Sequence, residues 1–409
     1  MDTNEISLRK EIARELLANN ISEFDGLLEV DEKLQVQEAA VVGVSASLTY
    51  PGGLSPQPQA ISPKPGINDP LPQADILVVT WTVAEQNALC DIMTPGISRH
   101  GWYRYRRNFE SHFDKLIRQG DATKKPPSRV NNRLGSWYPV QIGSKKVICF
   151  KSELHLNQDG ISLTPDGQPT TENTGYATLP VKDLFEQLIA ECKPSLVITV
   201  GTAGAVYRDH GIGDVVVTRG AKFRLQDEFR KEPYNGYDIE GAQYTCDWDV
   251  PTAYFDTAME MMSSFKANLQ EPVFALPTKR FQTDPGPITP WENNGRIHLD
   301  GTGALPPFHP IVTTDFFEFG TSANNMEAVG SAMEMGDAVL ALVCEQLENA
   351  PKWLVIRNLS DPQINADLPI KPSLLNMQTH WAVWYYEKFG YWTSINSALT
   401  TWAVIAGLE

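Results

Sequence analysis

The sequence contains little cysteine and no long hydrophobic run. Its cysteines number five in 409 residues and are widely scattered, at Cys90, Cys149, Cys192, Cys246 and Cys344. No pair has the spacing of a metal-ligand or redox motif, which favours a reducing compartment. No apolar stretch reaches the length of a membrane span, and residues 1–17 lack the apolar core of a secretion signal. We therefore expect a cytoplasmic protein that does not use a membrane.

Basic residues are also scarce relative to acidic ones. The chain has 34 Lys and Arg against 50 Asp and Glu, which gives a formal net charge of -16. Such a charge repels nucleic-acid backbones and anionic membrane surfaces, so neither is expected as the main partner. The seven histidines show no ligand-type spacing, so no metal and no other cofactor is predicted.

The distribution of proline divides the chain. Seven prolines lie between Pro51 and Pro72 together with Gly, Ser and Gln, a composition typical of an extended linker. We expect residues 1–50 to be an N-terminal appendage, residues 51–72 to be the linker and residues 73–409 to form one catalytic domain.

Hydrophobic patterning within the domain predicts alternating strands and helices. Short apolar runs indicate strands at 75–80, 146–151, 196–200, 214–218 and 353–357, and helical spacing marks 181–192 and 335–347. This alternation predicts an α/β fold, with a central mixed sheet covered by helices on both faces. The stretches 98–140 and 224–310 break the alternation and are interpreted as long insertions.

Three features stand at the ends of predicted strands, where sites gather in such folds. Gly201–Gly204 forms a glycine turn whose backbone can approach a ligand, although a simple strand-to-loop turn explains it equally well. Asp361 follows the last apolar strand, where burial would let a carboxyl donate a proton near neutral pH; a Ser360-Asp361 helix cap is the plainer interpretation. Glu85 alone would be an ordinary first-turn helix acid.

Taken together, these motifs are more specific. In order, GTAGA (201–205), GIGDVVV (211–217), TTDFF (313–317) and RNLSD (357–361) resemble the purine nucleoside phosphorylase/nucleosidase superfamily. Within it, the likeness is to methylthioadenosine/S-adenosylhomocysteine nucleosidases. The resemblance implies a nucleoside phosphorylase-like fold and cleavage of a purine N-glycosidic bond, with adenine as the expected base.

The resemblance also implies roles for individual residues. Asp361 would protonate the purine N7, assisted by Ser360, and Glu85 would position the attacking water. Phe317 would stack on the base. The remaining pocket candidates are Phe316, Met333, Thr202, Ala203 and Gly204, with His155 and Gln158 as further possibilities that nothing singles out.

The family's ribose-binding glutamate has two candidates here, Glu327 and Glu334. In the family this residue follows a methionine at the start of a helix. Both Met326-Glu327 and Met333-Glu334 fit that pattern. The spacing to Asp361 favours Glu334.

Two departures bear on the reaction type. Phosphorylases of this superfamily bind phosphate with an arginine where this chain has Thr199, and a neutral hydroxyl provides no charge-assisted clamp. A carboxylate at Glu85 would repel phosphate, which favours water as the nucleophile. A phosphate-dependent phosphorylase and a non-catalytic nucleoside-binding module remain as alternatives.

The substrate's 5′ end and the partners are less constrained. A basic group in the first insertion is explained most simply as a solvated face; alternatively, some of its arginines bind the phosphates of a nucleotide. Its members are Arg104, Arg106, Arg107, Lys124, Lys125 and Arg129. Superfamily chains with extra regions include nucleotide-cleaving antiviral effectors, and superfamily enzymes are oligomers, so at least a dimer is expected. The Trp-rich tail (Trp381, Trp384, Trp392, Trp402) is interpreted as core packing or a subunit interface.

Overall fold

The computed structural model describes residues 48–119, 125–156, 160–170, 174, 176–225, 239–266, 295–368, 370 and 377–409. All but the last three residues of the predicted appendage lie outside this set, as do Lys124 and Gln158. Within the described chain, no helix is both long and apolar enough to cross a membrane.

The chain contains the strands and helices that the hydrophobic pattern predicts, but they do not strictly alternate, since three strands follow one another between residues 196 and 224. The strands are β1 (Gln57–Pro58), β2 (Ile76–Thr80), β3 (Tyr103–Tyr105), β4 (Gly135–Ile142), β5 (Lys145–Ser152), β6 (Ser162–Leu163), β7 (Pro169–Thr170), β8 (Leu196–Ala205), β9 (Val215–Thr218), β10 (Gly220–Arg224), β11 (Gln243–Thr245), β12 (Ile297–Leu299), β13 (Ile311–Thr314), β14 (Ala332–Glu334) and β15 (Lys352–Asp361). The α-helices are α1 (Val83–Met93), α2 (Pro127–Val130), α3 (Pro180–Cys192), α4 (Phe255–Lys266), α5 (Asp337–Gln346) and α6 (Met377–Ala406).

One mixed sheet carries nearly all of these strands. Its order is β1-β4-β5-β2-β8-β14-β13-β10-β11, and β15 pairs with both β8 and β9. Strands β5, β2, β8 and β15 run parallel to one another, so their carboxyl ends meet at one edge. The short β14 runs antiparallel to the end of β8, where Met333 pairs with Gly204. The edge formed by these ends is where the predicted site residues should meet.

Helices cover both faces of the sheet, as predicted. Consecutive side chains of a strand point to opposite faces of the sheet. Two neighbouring residues of β15 accordingly contact helices on the two faces. The guanidinium of Arg357 reaches Asp337 at the start of α5, whereas the amide of Asn358 donates to Thr393 Oγ1 on α6 at 2.7 Å. Helix α6 also packs against α1 and α4, and α3 packs against α5.

The predicted strands and both predicted helices are confirmed, with two differences in extent. The predicted ends of β8 and β15 were Val200 and Arg357. The strands continue five and four residues further, because polar as well as apolar side chains are buried there. The glycine segment 201–204 and Asp361 therefore lie within the last residues of β8 and β15 rather than after these strands. Within the stretch 98–140, part of β4 joins the main sheet beside β5, an arrangement that the irregular composition did not reveal.

Near its end, β15 contains an irregularity. The parallel register with β8 runs residue by residue from Lys352 to Leu359 and then shifts before Asp361, which pairs with Gly204. Such a shift leaves one residue without a partner and turns the local chain.

The proline-rich segment 51–72 packs along the surface of the domain. Gln57–Pro58 pairs with β4, Leu54 is buried, and its carbonyl accepts a hydrogen bond from Trp402 Nε1 at 2.7 Å. Trp381 and Trp402 are buried within the chain, which favours core packing for these two members of the Trp-rich tail.

Candidate active site

A cavity opens at the carboxyl ends of the parallel strands, the edge at which ligands bind in open α/β sheets. It is lined by Trp81, Thr82, Glu85, His155, Thr202, Ala203, Gly204, Phe317, Glu318, Met333, Glu334, Met335, Arg357, Ser360, Asp361 and Tyr386. The structure thus brings together every site residue predicted from the sequence except Phe316, which is fully buried and does not line the cavity.

Asp361 is a buried carboxyl with one oxygen left for a ligand. Its Oδ1 accepts a hydrogen bond from Ser360 Oγ at 3.1 Å, while no donor among the described residues reaches Oδ2. Burial raises the pKa of Asp361 to about 8, and the Ser360 hydroxyl opposes the rise only in part. At neutral pH the group is therefore largely protonated and can donate a proton into the cavity.

Gly204 lies directly against this carboxyl. A Cβ atom at position 204 would come within 2.9 Å of Asp361 Oδ2, closer than carbon and oxygen atoms normally approach. The glycine is therefore required for the position of the Asp361 side chain, whatever its effect on the turn.

Glu85, in contrast to Asp361, accepts hydrogen bonds on both of its carboxyl oxygens. It is the third residue of α1 and forms a capping box with Thr82. Its Oε2 accepts from the backbone N–H groups of Trp81 (3.0 Å) and Thr82 (2.8 Å), and its Oε1 accepts from Thr202 N (2.8 Å) and Oγ1 (2.9 Å). Burial acts to raise the pKa of Glu85, but Arg357 and these N–H groups outweigh it and lower the pKa. Glu85 is therefore ionised, and it also satisfies the first-turn role expected for an isolated helix acid.

Arg357 is a central residue of the site to which the sequence reasoning assigned no role. Its Nε donates to Asp337 Oδ2 at 2.8 Å, and Nη2 lies 3.3 Å from Glu334 Oε2. Nη1 lies 3.8 Å from Glu85 Oε1, and the guanidinium carbon is 5.0 Å from the centre of the Trp81 ring. One buried cation thus contacts three carboxyl groups. The signal in the sequence was its place in the RNLSD motif, at the end of the same apolar strand that carries Asp361.

Glu334 lines the cavity, whereas Glu327 does not. The carboxyl group of Glu334 accepts hydrogen bonds from the backbone N–H groups of Gly336 (2.5 Å) and Asp337 (3.0 Å), where α5 begins, and from the Thr313 hydroxyl. Burial and the neighbouring Asp337 raise the pKa of Glu334, and Arg357 offsets them only partly. Of the two candidates, Glu334 is the one positioned to meet a ligand.

Besides Arg357, five lining residues were not anticipated. Trp81 and Thr82 directly follow β2 and could have been found by extending the strand-end argument to its neighbours. Glu318 and Met335 adjoin anticipated residues, and Tyr386 comes from α6, where a helical aromatic gives no such signal.

The residues considered for phosphate binding lie elsewhere. Arg106 pairs with Glu110, Arg107 with Glu191 at 3.0 Å, and Arg129 with Asp114 at 2.6 Å. Among the described residues of the basic group, none lines the cavity. Thr199 is fully buried and is not part of the lining either. These contacts support the interpretation of a solvated basic face.

The described part of the chain contains no group of three or more His, Cys, Asp or Glu side chains arranged to hold a metal ion. The ionisable groups that line the cavity include the protonated carboxyl of Asp361, the ionised carboxylate of Glu85 and the buried guanidinium of Arg357.

Comparison with known proteins gives one family match. Residues 184–371 match the model of the Phosphorylase superfamily, and this segment contains all four motifs on which the sequence resemblance rests. No curated protein matches the chain.

Similar solved structures are nucleosidases and a related hydrolase. They include the 5′-methylthioadenosine/S-adenosylhomocysteine nucleosidase from Neisseria meningitidis (13% identity, TM-score 0.39, 81% of this chain and 99% of that chain). The S-adenosylhomocysteine nucleosidase from Streptococcus pyogenes has 14% identity and a TM-score of 0.40 over 83% of this chain and 99% of that chain. The futalosine hydrolase of Helicobacter pylori has 11% identity and a TM-score of 0.38 over 81% of this chain and 97% of that chain.

Proposed function

We propose that this chain, whose residues 184–371 match the model of the Phosphorylase superfamily, hydrolyses the N-glycosidic bond of a purine nucleoside or nucleotide, with adenine as the base. The observation that carries the proposal is the pair of acids in one cavity. Asp361 is protonated near neutral pH and Glu85 is ionised. Two carboxyl groups whose pKa values are pushed apart supply the acid and the base that glycoside cleavage needs.

The reaction begins at the base. Asp361 transfers its proton to N7 of the purine, and the bond between C1′ and the base nitrogen breaks with its electrons moving to the base. The sugar acquires oxocarbenium character, as in other glycoside hydrolyses. The protonated purine is a neutral leaving group, which is why a buried acid with a raised pKa suits the step.

Water completes the reaction on the sugar. Glu85 is assigned to the attacking water, whose oxygen bonds to C1′ while one of its protons passes to solvent. Asp361, left as a carboxylate by the first step, regains its proton from solvent. Glu334 is assigned to the ribose hydroxyls and Phe317 to stacking on the base. The ionised carboxylate of Glu85 stabilises the positive charge that develops on the sugar.

The phosphorylase alternative is less well supported. Arg357 is the one cation that lines the cavity among the described residues, and it is already paired with Glu334 and lies near Glu85. A phosphate dianion would have to displace one of these carboxylates. A non-catalytic binding module, the other alternative, gives no reason for an ionised and a protonated acid in the same cavity.

A direct assay tests the proposal. The purified full chain is incubated with adenosine, methylthioadenosine, AMP and ATP, with and without phosphate, and free adenine and ribose 1-phosphate are quantified. We expect adenine release without phosphate, and its loss in Asp361→Asn with the fold retained. Ribose 1-phosphate formation would favour the phosphorylase. Absence of cleavage of all four compounds would sink the hydrolase.

Three wider assignments accompany the proposal. We propose that residues 73–409 form the catalytic domain, that the enzyme is at least a dimer in the cytoplasm, and that it acts as a nucleotide-depleting antiviral effector if its substrate carries 5′-phosphates. The comparison of AMP and ATP with adenosine tests whether the substrate carries 5′-phosphates, the condition on which the last assignment depends.

A further inference from the structure

Trp81 lines the cavity and carries a polar group that the mechanism does not use. Only 3% of the residue is exposed, and no acceptor among the described residues lies within hydrogen-bond distance of its Nε1 atom. The indole N–H of a buried tryptophan usually has a partner. A buried donor without one is rare in native proteins and calls for an explanation, and a ligand in the adjoining cavity provides one.

The ring of Trp81 is held on several sides. The guanidinium carbon of Arg357 lies 5.0 Å from the ring centre, and the ring of Phe185 meets it edge to face with centroids 6.2 Å apart. A Cβ atom at Gly336 would come within 3.1 Å of the indole Cζ2 and 3.4 Å of Cε2. Because Cε2 is bonded to Nε1, the N–H belongs to the edge of the ring that adjoins Gly336, two residues after Glu334.

The pairing of the strands places Trp81 on the sugar side of the proposed substrate. Strands β2 and β15 both pair with residues 196–199 of β8, so they lie along its two opposite edges. Asp361, at the end of β15, is the residue assigned to the base. Trp81 follows β2, and its backbone N–H donates to Glu85 at 3.0 Å. A nucleoside that presents its base to Asp361 therefore presents its sugar to Trp81.

An indole N–H only donates hydrogen bonds, so it selects an acceptor on the sugar. The 2′ and 3′ hydroxyls are assigned to Glu334, and the ring oxygen gives up electron density as oxocarbenium character develops. The oxygen on C5′ is the acceptor that remains, whether it belongs to a hydroxyl or to a phosphate. A thioether sulfur in the same position accepts hydrogen bonds only weakly.

We infer that the indole N–H of Trp81 donates a hydrogen bond to an oxygen of the 5′ substituent and thereby selects 5′-hydroxyl or 5′-phosphate substrates over 5′-methylthio and 5′-deoxy nucleosides; this inference rests on the proposed function. The competing explanation is that Trp81 serves only as a packing surface for Arg357. Such a role affects all substrates alike, whereas the hydrogen bond affects only those with a 5′ oxygen.

The experiment compares adenosine and AMP, each with 5′-deoxyadenosine, which has no 5′ oxygen. The ratios of kcat/KM are measured for the full-length wild type and for Trp81→Phe, which keeps an aromatic ring beside Arg357 but lacks the N–H. Comparing ratios between proteins cancels the intrinsic reactivity of the substrates. A bond to the hydroxyl should lower the preference for adenosine by roughly 2- to 10-fold, and a bond to the charged phosphate should lower that for AMP by roughly 10- to 100-fold.

A matched control removes an indole N–H away from the cavity. Trp402 is fully buried and does not line the cavity, and its Nε1 donates to the Leu54 carbonyl at 2.7 Å. Trp402→Phe should leave both ratios unchanged even if it lowers the melting temperature. Unchanged ratios for both adenosine and AMP in Trp81→Phe would overturn the inference. A Trp81-dependent change seen only against 3′-deoxyadenosine would overturn it as well, because the acceptor would then be the 3′ hydroxyl.

The indole resonance of Trp81 gives a measurement that does not require Trp81→Phe to fold. In Asp361→Asn, where ligands are not cleaved, the Nε1–H proton should move downfield when adenosine or AMP binds and should move less with 5′-deoxyadenosine. Equal movement with all three ligands would contradict a bond to the 5′ oxygen.

Calorimetric binding of the same three ligands separates this inference from the proposed function. Selectivity for the 5′ oxygen that depends on Trp81, in a wild-type protein that cleaves nothing, would support the inference and refute the hydrolase. Cleavage with unchanged ratios would refute the inference alone. A protein that neither binds nor cleaves these compounds would refute both.

Discussion

Asp361 Oδ2 lies so close to the α-carbon of Gly204 that a methyl group added at Gly204 would be only 2.9 Å from this carboxyl oxygen. These residues sit opposite each other on paired strands, β15 and β8. The proton donor is therefore positioned by the absence of a side chain on its neighbour.

Gly204→Ala should reduce base release by about tenfold or more, because a displacement of about 1 Å can cost a hundredfold in rate. Overpacking costs typically 1–3 kcal/mol, so the protein should still fold. The measurements are the rate of adenine release and the melting temperature. Gly52→Ala is the control, since a Cβ there meets nothing within 4 Å. An unchanged rate in Gly204→Ala would show that Asp361 tolerates displacement.

The rate of base release should fall as the pH rises above about 8. Asp361 donates its proton only in the protonated form, and burial raises the pKa of this carboxyl to about 8. Below that pH the acid is protonated; above it, kcat/KM should drop by about tenfold per pH unit. A pH profile between 5 and 10 tests this. A profile that decreases only toward acid pH would contradict the role of Asp361 as proton donor.

Glu85→Gln should stop hydrolysis while ligand binding is retained. The carboxamide cannot reproduce the contacts of the carboxylate with Trp81, Thr82 and Thr202, so stability should also fall, by about 1–3 kcal/mol. Thr82→Ala is the matched control, because it removes the other half of the capping box at a cost of about 1 kcal/mol.

Comparing the two variants separates the roles of Glu85. We expect Thr82→Ala to lose stability but to keep activity within a few-fold, and Glu85→Gln to lose at least about a hundredfold in rate. Rates and denaturant midpoints are measured side by side. Equal activity in the two variants would show that Glu85 acts only as part of the helix cap and not in the reaction.

Stability should decrease below pH 6.5 because of His210. Its ring stacks on His298 with centroids 3.9 Å apart, and burial together with that second imidazole lowers its pKa to about 4. As the pH falls from 6.5 to 4 the unfolded chain binds a proton and the folded chain does not, which costs up to about 3 kcal/mol. His210→Phe keeps an aromatic ring and should flatten the dependence of unfolding free energy on pH. An identical slope in both proteins would exclude His210 as its source.

The sequence predicted the parallel strands and the cavity at their ends because apolar runs and strand-end residues are local patterns. Asp361 and Glu85 were found in this way. The role of Arg357 was not, since it depends on Glu334 and Asp337, which only the folded sheet brings near. Tyr386 was missed for the same reason: its position in the cavity depends on how α6 packs, and helical spacing cannot supply that.

Two consecutive side chains, Ser360 and Asp361, both reach the cavity, although neighbours on a flat strand must face opposite ways. The break in register just before Asp361 permits this. Consequently, a one-residue insertion or deletion between Arg357 and Asp361 would reverse which side chains face the ligand. A straight strand in place of this segment should likewise turn either Ser360 or Asp361 away from the cavity, even with both residues preserved.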